Sequence, residues 1–147
     1  MIGAVLLTVS LGILLLGIVQ FWQLTLDDAV RVAGRQVELG ATTVSTGPQF
    51  VAAVCSEFGM AAPNCQSGLQ YDVQSAASFG SMSPASLSAN GQLTPTGSYL
   101  SFTHSYPVLV QVAYPVPINL PLLPIGWLTL NGTPSLVSAL VFLENPS

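Results

Sequence analysis

The stretch "GIVQFWQLTLDDAVRVAGRQVELG", residues 17–40, decides the fold, because it is where an uncharged, apolar sequence first carries charge. It holds five of the eight charged residues of the 147-residue chain, and no Asp, Glu, Lys or Arg precedes Asp27. Up to that point the apolar run is broken only by Gly, Thr, Ser and Gln. A helix rises about 1.5 Å per residue, so roughly 20 residues cross the ~30 Å hydrocarbon core of a bilayer. The run is long enough. A secretory signal would need a positively charged start, a shorter apolar core and a small-x-small cleavage site, and the sequence offers none of these. No proline occurs before Pro48, and Asp27, Asp28, Arg31 and Arg35 recur at spacings of three or four, where helical side chains meet. The spacing predicts one helix, unbroken to Gly40.

Leaving the bilayer, such a helix carries Asp27, Asp28, Arg31, Arg35 and Glu38 on wet faces and keeps Val30, Ala33 and Val37 as a narrow apolar stripe. Two readings of that stripe stay open: a juxtamembrane helix solvated by its charges, or a packing surface for another subunit. Within the span, Gly3, Gly12 and Gly17 allow close approach of a second helix. Gln20 is a polar position there, suited to a hydrogen bond across helices or to headgroups.

Composition agrees with a membrane protein. Charged residues make up 5% of the chain, against about 25% in soluble domains, and the mean hydropathy is +0.64. The residues beyond the span suffice for one small domain with its own core, so the expected division is a membrane helix with its extension over 1–40 and an α+β domain over 41–147. The net charge of −4 includes only Arg31 and Arg35 as positive groups, which leaves no basic patch for phosphates. Nucleic acid is excluded as a partner.

"TGPQFVAAVCSEFG" (46–59) predicts a short amphipathic helix with Thr46 as N-cap, Pro48 in the first turn, and Phe50, Val54 and Phe58 on one face. "LQYDVQS" (69–75) alternates as a strand does. The Ser, Gly, Ala and Pro-rich residues 76–97 carry little core-forming content and predict a long loop or mobile excursion. "YPVLVQVAYPV" (106–116) places Val108, Val110, Val112, Tyr114 and Val116 on one strand face, with Gln111 and Ala113 opposite. "SLVSALVFLE" (135–144) is a further strand. Four prolines in "YPVPINLPLLPIGWLTLNG" (114–132) exclude a central strand. Its Leu120, Leu122, Leu123, Ile125 and Trp127 fold back on the sheet, or else lie on lipid headgroups or a partner. The fold class is α+β: a long membrane helix continuing into an amphipathic one, then a short helix and a small, mainly antiparallel sheet.

Cys55 and Cys65 are separated by nine residues, with no further Cys or His at zinc-ligand spacing and no redox motif. A disulfide is preferred to two buried thiols; it would contribute about 2–3 kcal/mol and require an oxidising compartment. His104 is the only histidine and "THSY" lacks the glycines of a nucleophile elbow. Outside the first helix the carboxylates Glu57, Asp72 and Glu144 are scattered. Neither catalysis nor a metal or other cofactor is expected.

Four segments together resemble the TadE-like minor pilins, or pseudopilins, of the bacterial tight-adherence (Tad) pilus. They are "GIVQFWQLTLDDAVRVAGRQVELG", "FVAAVCSEFGMAAPNCQSGLQYDV", "VLVQVAYPVP" and "LVFLENPS", in the family's order. The resemblance implies a pilin-like subunit crossing the inner membrane once, N-terminus cytoplasmic and domain periplasmic, that takes part in building an adhesive pilus. Implied partners are the lipid bilayer, other pilins or pseudopilins, and inner-membrane assembly proteins; no enzyme activity is implied. Two positions depart from the pattern. Family members carry a leader ending at Gly and a nearby Glu, whereas Met1 here already lies in the apolar run, implying a truncated or misassigned start or an unprocessed chain. Gln20 also stands where the family often has an acid. The competing class is a single-pass envelope protein whose β domain binds a ligand or partner.

Overall fold

The computed structural model describes residues 2–59, 64–100, 106–116 and 135–143. Helix α1 runs unbroken from Ile2 to Glu38, as the charge spacing and the lack of proline predict. It stops where Gly40 adopts a φ of 62°, which a residue without a Cβ reaches at no steric cost. There the Ala41 N–H donates to the Gln36 carbonyl and the Gly40 N–H to the Val37 carbonyl, both at 3.0 Å, closing off the helix end.

A 3-10 turn at Thr42–Val44 leads into α2, Gly47–Phe58, which packs along α1. Thr46 is its N-cap residue, as predicted, and Gln49 completes the cap: its Oε1 accepts from the backbone N–H of Ser45 at 3.0 Å and of Thr46 at 3.2 Å. Phe50, Val54 and Phe58 are buried, the face their spacing predicts. After α3 (Cys65–Gly68) come β1 (Gln70–Ser75), β2 (Ser86–Leu87), β3 (Leu93–Thr94), β4 (Ser98–Tyr99), β5 (Pro107–Pro115) and β6 (Ser135–Leu143).

One sheet has the order β4-β1-β5-β6. Its long pairings, β1 with β5 and β5 with β6, are antiparallel, while the short β4 runs parallel to β1, so the sheet is mixed. Register puts Tyr71 opposite Val112 and Val73 opposite Val110 on one face, and Gln70 opposite Ala113 and Asp72 opposite Gln111 on the other. The first face is the inner one. Val73, Val108, Val110, Val112, Tyr114 and Leu136 form one core with the buried side chains of α1 and α2.

The structure corrects two expectations. The stripe Val30, Ala33 and Val37 is 0%, 1% and 3% exposed and belongs, with Leu26 and Ala29, to the chain's own core. It packs on α2 and the sheet and is closed to another subunit, because the sheet's inner face must itself be covered and α1 is the element that covers it. Packing therefore does not divide the chain at residue 40. The second correction concerns residues 76–97. Part of this stretch pairs as a β2–β3 ribbon and lies over the sheet's outer face. Its backbone is held by strand glutamines: Gln111 Oε1 accepts from the Ala85 N–H at 2.6 Å, and Gln70 Oε1 from the Leu93 N–H at 2.5 Å. Leu93, Leu109 and Ala113 are buried in consequence.

Candidate functional site

The apolar half of α1 stands clear of the domain. Val5, Leu7, Ile13, Leu16, Phe21 and Leu24 are each more than half exposed, and the most apolar stretch of the helix, with a mean hydropathy of 2.4, is not buried at all. Leaving side chains of this kind in water forfeits about 1.5–3 kcal/mol each relative to burial, so the surface needs lipid or an equally apolar partner. Among the described residues one helix is long and apolar enough to cross a membrane, and the architecture fits a single-pass anchor.

The polar groups of this segment are handled locally. The Thr8 hydroxyl donates to the Ala4 carbonyl at 3.1 Å, and the Thr25 hydroxyl to the Phe21 carbonyl at 2.8 Å, the back-bonding by which a helix carries hydroxyls through an apolar medium. A Cβ added at Gly3, Gly12 or Gly17 would meet nothing within 4 Å, so all three are open to lipid or to a second helix. Gln20 is exposed on the same segment. Sequence reasoning missed its neighbour Gln23, whose amide donates to Asp27 Oδ1 at 3.2 Å and to the Val137 carbonyl at 2.8 Å. That side chain ties the exit of the span to strand β6. The i, i+4 pairing of Gln23 with Asp27 was the available signal; the contact with β6 had none.

Below this junction the domain is pinned by bulky side chains on small ones. Gly34 lets Leu140 and Phe142 lie directly on α1, and Gly47 leaves room for the Tyr71 ring. Phe50 sits between Tyr71 and Tyr99, with centroids 6.1 and 6.3 Å away, and Phe58 meets Tyr114 edge-on at 5.4 Å. The Tyr99 hydroxyl donates to the Val44 carbonyl, fastening β4 to the turn after α1. Burial, with Tyr71 beside it, pushes the Tyr99 pKa up to about 12, and burial raises that of Tyr114 too, so neither is a proton donor of use near neutrality. The Cys55–Cys65 disulfide is formed, with Cα atoms 5.8 Å apart, and joins α2 to α3.

Asp72 is the one carboxylate inside the domain among the described residues. It is fully buried beneath the β2–β3 ribbon; Gln74 donates to Oδ2, while Oδ1 has no hydrogen-bond partner. Burial raises its pKa, an effect only partly opposed by hydrogen bonds from Ser98 and Gln74. No group of three His, Cys, Asp or Glu gathers among the described residues. A shallow hollow of about 310 Å³ is lined by Pro48, Val51, Ala52, Gln66, Leu69 and Tyr71, none of them charged. His104, Leu120, Leu122, Leu123, Ile125 and Trp127 lie outside the described residues. Comparison of the chain with family models, curated proteins and solved structures finds no match.

Proposed function

We propose that this chain is a membrane-anchored minor pilin, or pseudopilin, that takes part in assembling an adhesive pilus of the tight-adherence type. The observation that carries the reading is the double use of α1: its first half is bare and apolar, and its second half is the core of the domain. A receptor on a tether needs no such continuity. In a subunit that leaves lipid for a filament, the continuity matters, because whatever captures the bare half moves the domain with it as a rigid body. Lipid holds the apolar surface until a partner helix offers an equivalent one, and the open glycines permit the close approach on which such packing depends. The disulfide supports a periplasmic domain, since such bonds persist in oxidising compartments.

A photo-crosslinking residue in place of Gly12, introduced in the native cells, tests this reading. Cross-links to other single-span pilin-like subunits, together with loss of surface fibres when the gene is deleted, are the expected results. A phosphatase fused after Ser147 should be active in the periplasm. Normal fibres in the deletion strain, with cross-links to lipid alone, would favour the anchored binding module instead.

A further inference from the structure

The junction between span and domain is placed at a particular depth. Val19 and Trp22 pack against the domain core and Gln23 is bonded to β6, yet Phe21 and Leu24, on the opposite side of the same turns, are 63% and 67% exposed. The first charges, Asp27 and Asp28, come only about 6 Å further along the helix. With α1 as a membrane span, Phe21 and Leu24 leave water when the bilayer reaches their level. The domain begins at that same level, so its near end must enter the interface too.

The described strands identify that end. Val137 is bonded to Gln23, whereas Leu140 and Phe142 lie over Gly34, so β6 runs alongside α1 with its start toward the membrane. Tyr114 pairs with Leu136 and touches Phe58, which brings the end of β5 and the C-terminal end of α2 to the same rim. Val137 is 37% exposed on the face of β6 away from α1. Charge is sparse here: β5 and β6 carry no Asp, Glu, Lys, Arg or His, and the carboxylate next to Phe58 at the end of α2, Glu57, is exposed, where headgroups and water can solvate it.

We propose that the membrane-proximal rim of the domain, with Phe21 and Leu24 of α1 on one side and Val137 of β6 on the other, is seated in the lipid headgroup layer. The bilayer then fixes the tilt and rotation of the domain as well as anchoring its helix. The inference rests on α1 being a membrane span and is independent of the pilin reading.

The full chain is reconstituted in phosphatidylcholine vesicles as three variants with one added cysteine each, Gly12→Cys, Val137→Cys and Thr43→Cys, each labelled with a bimane fluorophore. The native cysteines are bonded to each other and do not label. Quenching is read with lipids brominated on the acyl chain and with aqueous iodide. At Gly12 the label should respond to brominated lipid only; at Thr43, beside the far end of α1, to iodide only. At Val137 it should lose emission to brominated lipid and be shielded from iodide relative to Thr43. Iodide quenching at Val137 equal to that at Thr43, without a lipid response, overturns the proposal. Shielding of Val137 from both quenchers overturns it as well, since protein would then cover the site. Absence of lipid quenching at Gly12 would remove the membrane span itself.

Discussion

A carboxylate enclosed without a full set of donors prefers its neutral form, and Asp72 is such a group, buried with Oδ1 unpartnered. Its folded pKa lies above the unfolded value of 3.8, so the folded chain holds the proton more tightly. The stability this proton confers is fully present below 3.8 and is lost as pH rises through the folded value. Asp72→Asn should therefore raise the thermal midpoint at neutral pH, by an amount equivalent to on the order of 1 kcal/mol, and flatten the acid side of the stability–pH profile. Scanning calorimetry of both forms across that range checks this; an unchanged profile would mean that water reaches Oδ1. Glycines supply a second test at this scale. A Cβ at Gly47 would lie 2.8 Å from Tyr71 Cζ, against a ring held by Phe50, so Gly47→Ala should cost about 1–3 kcal/mol. At Gly34 the Cβ would lie 2.6 Å from Leu140 Cδ2, the end of a flexible chain, and a gain of about 1 kcal/mol in helix propensity offsets the adjustment. Gly34→Ala should be close to neutral in the same denaturation experiment.

Helices and long strands were legible because each carries its own periodicity. Phe50, Val54 and Phe58 repeat every four residues, and Val108, Val110, Val112 and Tyr114 every two, so spacing alone gives the buried face. The cover on the outer face of β5 was not legible. Gln111 and Ala113 read only as the side opposite the valines, and the Ser and Pro-rich residues 76–97 read as a long loop or mobile excursion, because a cover held by side-chain-to-backbone hydrogen bonds leaves no apolar pattern. Gln111 accepts from the Ala85 N–H and donates to its carbonyl at 3.4 Å, bonding both sides of one residue of the ribbon. Gln111→Ala should leave these two backbone groups without their partner, at about 1–3 kcal/mol, and loosen the ribbon rather than the sheet. Hydrogen exchange followed by mass spectrometry should show faster exchange around β2 and β3, with α1 and β5 unchanged. Equal protection in both proteins would show that Leu93 and Gln70 suffice to hold the cover.

At the scale of the whole chain, a single helix belongs to two environments, and this sets where the molecule can be cut. The change from uncharged to charged sequence at Asp27 marks the end of the apolar run, while the division at residue 40 follows the end of the helix at Gly40 and leaves out what the helix packs on. Val30, Ala33 and Val37 fit a stripe for a partner or for the chain's own sheet equally well, since periodicity names a face and not what meets it. The core shows which: Leu26, Ala29, Val30, Ala33 and Val37 are all at most 3% exposed and cover the inner face of the sheet together with α2. A fragment starting at Ala41 would lose all of them and uncover the valines of β5. Losing a buried Leu or Val costs about 1.5–3 kcal/mol each, and the sum is comparable to the roughly 5–15 kcal/mol that holds a domain folded. Residues 41–147 should therefore fail to fold cooperatively even with the Cys55–Cys65 bond formed. A fragment starting at Val19 keeps every buried residue of α1, together with Trp22 and the Gln23 bond to Val137, and discards only bare apolar surface. It should give a dispersed amide NMR spectrum and one sharp unfolding transition, with mild detergent shielding Phe21 and Leu24. A cooperative transition from the Ala41 fragment would show that the sheet and α2 form a domain without α1, and the rigid coupling on which the assembly reading depends would be lost with it.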